Sequence, residues 1–171
     1  TFQNGASVEY SYNDRNLVVE QTDLRGTATS YFYNDDGQLI KKVIGNRTTT
    51  YAYENGMMVS STDPEGNTTT YTYNVLGQVS SITDANNNTT SYIYDNKGHV
   101  LQTIDPLGNS ITNTYDGNGL LSSSTDANGN TTWYSYTGNM KLASVTLPDG
   151  GNITYEYDGE DQVIKITDQN G

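Results

Sequence analysis

TTTYTYNVLGQV, residues 68–79, decides the fold, because this stretch returns along the chain every 20 or 21 residues. Its mark is a pair of tyrosines two positions apart: Tyr10/Tyr12, Tyr31/Tyr33, Tyr51/Tyr53, Tyr71/Tyr73, Tyr92/Tyr94, Tyr134/Tyr136 and Tyr155/Tyr157, with Asn113/Tyr115 as the one imperfect copy. Eight units supply sixteen such positions, and all 15 tyrosines of the chain occupy them. A fixed period signals a repeat architecture whose units bury surface only by stacking on their neighbours. Residues i and i+2 of a strand point to one face, so each pair sets both rings on one side of a β-ribbon.

Each unit reads as two strands and two turns. Thr68 to Tyr73 carries the β-branched and aromatic residues that suit a pleated surface. The turn Asn74 to Gly77 opens with Asn and closes with Gly, and it recurs as Asn34 to Gly37, Asp95 to Gly98 and Asp116 to Gly119. Asn or Asp at the first position binds its own backbone, and Gly37, Gly77, Gly98 and Gly119 accept positive φ, so a type I turn closes a short hairpin with a bulge at the turn. The return strand is Gln78 to Thr83, with relatives at Gln38 to Val43, His99 to Ile104 and Gln162 to Thr167. Asp63-Pro64-Glu65-Gly66 and Asp105-Pro106-Leu107-Gly108 then form the second turn, whose slot also holds Asp23 to Gly26, Asp84 to Asn87, Asp126 to Gly129 and Asp168 to Gly171.

Connections this short join only antiparallel neighbours, so the fold class is all-β, a repetitive antiparallel β-meander of two-stranded hairpin units. The tyrosines take one face and Thr68, Thr70 and Thr72 the other. Val79 and Ile82 stand an odd number of residues apart and cannot share a face of a regular strand, which leaves a bulge or apolar contacts on both sides. A ribbon of sixteen half-units is about 75 Å wide, and an open twisted sheet of that width is expected to curl. Gly5 precedes Tyr10 as Gly66 precedes Tyr71, and Asp168 to Gly171 reads as an unfinished turn. The expectation is one array over residues 1–171, part of a larger protein.

Composition sets the excluded classes. Leu, Ile, Val and Phe are 31 of 171 residues and the net charge is -12, which without the tyrosine period would describe a disordered chain. A pI near 4.1 opposes nucleic acid and anionic lipid, both of which need Lys/Arg clusters. The absence of a long apolar run argues against membrane insertion. With no cysteine there is neither disulfide nor thiolate chemistry.

The core Y-x-Y-[ND]-x-x-G-x-[LV], followed by D-[PA]-x-G-N-x-T-T, as in Tyr71 to Val79 and Asp126 to Thr132, resembles the YD or Rhs repeat of bacterial Rhs and wall-associated proteins, toxin-complex C subunits and teneurins. The resemblance covers essentially the whole chain. Departures stand at Asn16, Met140 and Asp161 in place of Gly, at Gly56, which comes one residue early, and at Pro148-Asp149-Gly150-Gly151. It implies a curved ribbon spiralling into a hollow β-shell around a cargo or C-terminal toxin polypeptide. The family's self-cleaving C-terminal segment has no counterpart here, so no catalytic residue carries over.

Other sites read as structure. Asp126 to Asn130 and Asp84 to Asn88 offer oxygens at positions 1, 3 and 5 of a calcium loop, but position 6 is Thr and no Glu closes the loop at position 12. His99, the one histidine, is expected to point to solvent without a catalytic partner. The carboxylates follow the turns rather than forming an acid/base pair. The expectation is therefore no enzyme, no metal and no cofactor. Asn-x-Thr sequons at Asn46, Asn67, Asn87, Asn88, Asn130 and Asn152 arise where turn Asn precedes a Thr-rich strand. Trp133 replaces Thr70 by phase and lies opposite the tyrosines; it reads first as packing against an adjacent strand or flanking segment and second as a ring that stacks on a sugar, which makes it the one candidate ligand contact.

The leading functional reading is a wall segment of a secreted or cell-surface protein, with flanking repeats and an enclosed polypeptide as partners. The alternative is a surface adhesin recognising a glycan or a cell-surface protein through its aromatic face.

Overall fold

A computed structural model describes residues 7–169, so Gly5 and the end of the 168–171 turn lie outside the described residues. The chain divides into two compact units, 1–88 and 89–171. The first carries β1 (Glu9–Tyr12), β2 (Val18–Thr22), β3 (Ala28–Tyr33), β4 (Leu39–Ile44), β5 (Arg47–Glu54), β6 (Met57–Thr62), β7 (Thr68–Tyr73) and β8 (Val79–Thr83). The second carries β9 (Thr89–Tyr94), β10 (Val100–Ile104), β11 (Ser110–Tyr115), β12 (Leu121–Thr125), β13 (Thr131–Tyr136), β14 (Leu142–Thr146), β15 (Asn152–Tyr157) and β16 (Val163–Thr167). There is no helix among the described residues, and within each unit consecutive strands pair antiparallel. This is the expected meander. Return strands begin one residue later than read, at Val79 rather than Gln78, because the Gln78 amide is held by the turn Asn74 Oδ1 at 3.0 Å.

Both turn classes share one geometry. Asp63 Oδ1 accepts from the amides of Glu65 and Asn67 at 2.9 Å each, and Asp63 Oδ2 accepts from Asn67 Nδ2 at 2.8 Å. Asn74 does the same through one oxygen for Leu76 and Gln78, while its Nδ2 donates to Gln78 Oε1 at 2.9 Å. Left-handed backbone follows at Gly66 and Gly77, with φ of 89° and 78°. The slots that lack Gly keep this conformation: Asn16, Asn87, Met140 and Asp161 have φ between 59° and 64°. The rewritten turn at Leu147 also keeps its backbone bonds, Leu147 N to Gly151 O at 2.7 Å and Gly150 N to Leu147 O at 2.9 Å.

The repeat's irregularity is a bulge, and it settles the odd spacing of Val79 and Ile82. Every pair from an odd strand to the next even strand slips by one residue near its turn. In β7 and β8, Tyr73 faces Val79 and Thr72 faces Ser81, which leaves Ser80 extra, while Tyr71 faces Ile82. Residues directly opposite share a face, so Val79 and Ile82 both join the tyrosines. The extra residue turns to the other side, where Thr72 Oγ1 meets Ser80 Oγ at 2.8 Å and Ser81 Oγ at 2.7 Å.

Each unit is a single layer. No apolar residue among those described is buried, and Ser123, 4% exposed, is the buried polar side chain. Within either unit each strand contacts only the strands before and after it. The curl expected of the ribbon is therefore not seen inside a unit, which stays open. Within a unit no second layer draws distant strands together.

Met140 in left-handed backbone carries a steric penalty that Gly avoids, so Met140→Gly should raise stability by about 1 kcal/mol. Gly77→Ala should lower it by a similar amount, about 1 kcal/mol. Urea denaturation of both variants checks the opposite signs.

Candidate functional site

The feature that recurs along the array is built on the second tyrosine of the pair, and it is formed by six of these tyrosines. The bulge cuts short the ladder toward the next strand: β6 and β7 pair over only Ser60/Thr70, Ser61/Thr69 and Thr62/Thr68. The carbonyl of Met58, just before the extra residue Val59, then lies beyond that ladder. Tyr73 reaches back across the strand gap and donates its hydroxyl to Met58 O at 2.7 Å. Tyr33 does the same for Val18 O at 2.7 Å, and Tyr53 for Leu39 O at 3.0 Å. In the second unit Tyr115, Tyr136 and Tyr157 bond the carbonyls of Val100, Leu121 and Leu142 at 3.0, 2.9 and 2.8 Å. A buried carbonyl without a partner is costly, so each phenol repairs what the bulge breaks. Burial pushes the hydroxyls of Tyr53 and Tyr136 above the usual phenol pKa.

The imperfect copy repairs itself. Asn113, in the slot of a first tyrosine, sends Nδ2 to the same Val100 carbonyl at 3.1 Å that Tyr115 bonds. Neighbouring turns are linked as well. Arg15 donates to the carbonyls of Asp35 and Asn34 at 2.6 and 2.8 Å, and Gln38 Nε2 to Gly56 O at 2.9 Å. None of these acceptors is visible without the register, since each lies about 15 to 20 residues upstream or downstream of its donor.

His99 does not point freely to solvent. It is half-buried, its Nδ1 lies 2.8 Å from Asp95 Oδ2, and its ring stacks on Tyr115 with centroids 4.6 Å apart. It occupies the slot of Gln38 and Gln78 and, like them, reaches back to the residue that opens its turn. Trp133 lies on the face opposite the tyrosines, between Ser123 and Thr146, and is 56% exposed. The other face carries hydroxyl pairs such as Thr62 with Thr68 at 2.9 Å and Ser135 with Ser144 at 2.7 Å.

The turn carboxylates are committed to the backbone. In the loop with a partial calcium pattern, Asp126 Oδ1 accepts from the amides of Asn128 and Asn130, and Oδ2 from Asn130 Nδ2, all at 2.9 Å. Among the described residues no three His, Cys, Asp or Glu side chains gather as a metal would need. The bond from the Asn side chain holds Asp63, Asp84, Asp105 and Asp126 below the usual carboxylate range, and for Asp23 the Thr27 amide does so. At Asp95 burial pulls upward but the His99 bond and two backbone amides outweigh it, giving about 2.

The RHS repeat model matches residues 33–68, 53–89, 73–110 and 141–171, more than half of the chain, and its first three matches start 20 residues apart. The chain belongs to the RHS repeat family. The stitching tyrosines, the bulge and the Asx turns described above are thus this RHS array's repeated features. No curated protein matches the chain. Among solved structures, it is similar to the TcdB2-TccC3 crystal structure at 17% identity, covering 97% of this chain and 13% of that one, with a TM-score of 0.45. The Photorhabdus luminescens Tc holotoxin pore gives 17% identity, coverage of 97% and 12%, and a TM-score of 0.44. A porin-like protein from Bacteroides uniformis gives 15%, coverage of 95% and 90%, and 0.27. The chain therefore spans about an eighth of the length of the first of these structures.

Tyr73→Phe should cost about 1 kcal/mol, because it strands the Met58 carbonyl while keeping the ring. Tyr12→Phe is the control and should be neutral in the same denaturation experiment, since Tyr12 is 55% exposed and its hydroxyl has no partner among the described residues.

Because Asp23, Asp63, Asp84, Asp95, Asp105 and Asp126 titrate lower when folded, their stabilisation is complete above their unfolded pKa, about 4. It is lost as pH falls through the folded values, which for Asp95 is about 2. Thermal melts should stay flat from neutral pH down to about 5 and then fall steeply. Replacing Asp63, Asp84, Asp105 and Asp126 together by Asn should flatten that fall.

Proposed function

We propose that this RHS array is a section of the wall of a β-shell that encloses a cargo or C-terminal toxin polypeptide within a larger secreted or cell-surface protein. The observation that carries the reading is that the units repeat the same elements and spend their polar groups within the ribbon. The second tyrosine closes the bulge, and the turn carboxylate closes the turn. What is left is extended surface, and a single layer without a core leaves two faces for other chain to cover. Family membership supports the same reading, which makes the array non-catalytic.

A second reading rests on Trp133. The exposed indole sits on β12, β13 and β14, none of which contains a charged residue although the chain carries a net charge of -12. A neutral glycan stacks on such a ring, which is the adhesin alternative.

Limited proteolysis of the full-length protein, followed by mass spectrometry of whatever the array encloses, separates the two. A wall leaves the enclosed polypeptide intact under conditions that digest the same polypeptide when free. Digestion at equal rates would overturn the wall and leave the adhesin.

A further inference from the structure

We propose that Asn55 is a site of spontaneous covalent modification, deamidating through a succinimide while Asn118 and Asn128 stay protected in the folded array. The proposal stands apart from the wall reading. Three described Asn-Gly pairs occur, at Asn55, Asn118 and Asn128, and in each the glycine lacks the side chain that would hinder attack by its own amide.

The fold treats them differently. Asn118-Gly119 and Asn128-Gly129 end the regular four-residue turns, where the glycine amide donates to the turn's first carbonyl, Asp116 O and Asp126 O, at 3.0 Å in both. The attacking nitrogen is thereby held. Gly56 comes one position early, so β5 and β6 are joined by a two-residue loop, Asn55-Gly56, between the paired residues Glu54 and Met57. Both loop residues have positive φ, 51° and 82°, as a type I′ turn requires. In such a turn the second residue's amide points outward, and among the described residues the Gly56 N–H has no acceptor. Both residues are exposed. The departure from the repeat pattern is what frees the nucleophile.

The chemistry needs only water. Gly56 N bonds to Asn55 Cγ, the carboxamide nitrogen leaves as ammonia with the amide proton, and water opens the cyclic imide at either carbonyl. The products are an aspartate, or an isoaspartate that adds a methylene to the backbone. Either puts a carboxylate in the loop whose Gly56 carbonyl accepts the Gln38 Nε2 bond at 2.9 Å. The longer backbone no longer fits a two-residue hairpin, so that link between neighbouring turns is lost with age.

The test is peptide mapping by mass spectrometry of the whole protein after incubation in mildly alkaline buffer, folded and in concentrated urea. Folded, Asn55 should convert about fivefold faster than Asn118 or Asn128, the factor that one backbone hydrogen bond's net strength provides. In urea the three should converge. Equal or faster conversion at Asn118 or Asn128 in the folded protein, or an inert Asn55 that reacts only in urea, would overturn the assignment.

Discussion

The structure depends on one hydrogen bond made many times: a tyrosine hydroxyl closing the carbonyl that a bulge leaves outside the ladder. Without the bulge the return strand would place its apolar residues on alternating faces, and Val79 and Ile82 could not both reach the tyrosines. With it, the ladder to the next hairpin shrinks to three residue pairs, as between β6 and β7. The phenol makes that economy tolerable. It bonds the orphan carbonyl and lays an aromatic ring over the gap, so packing and polar satisfaction come from the same side chain.

Stability in such a sheet has no interior to draw on. Partial burial of many rings and stems replaces full burial of a few, with the largest share at the tyrosine face and a hydroxyl network on the other. Turn carboxylates add local rigidity rather than long-range cohesion, because their partners lie within four residues. Ion pairs such as Arg47 with Glu65, at 2.7 Å but solvent-exposed, add little beyond that.

The period and the turns were legible in the sequence because they are local: a tyrosine pair in phase, Asp or Asn three residues before Gly, Pro between them. The face of Trp133 followed from phase alone, since it lies one residue before Tyr134. The stitch was not legible. Tyr73 and Met58 are 15 residues apart, and only the strand register shows that the phenol meets that carbonyl. The odd spacing of Val79 and Ile82 announced an irregularity but could not choose its form, because a bulge is a property of a strand pair. His99 misled because a polar residue after a turn glycine suggests solvent, whereas the slot holds side chains that fold back on the turn, as Gln78 does. Gly56 arriving early was visible, yet its meaning, a two-residue hairpin in place of a four-residue turn, needed the backbone angles.

That within a unit each strand meets only its sequence neighbours bears on how such a chain can evolve. A gene segment encoding one whole period can be duplicated or lost by unequal recombination, and the junction it creates is chemically the same as every other. The incoming tyrosine finds a bulge carbonyl waiting, and the outgoing bulge presents one to the next. Length is then free to drift in whole periods under selection for how much surface is needed, while a gain or loss of a few residues is tolerated only at a turn.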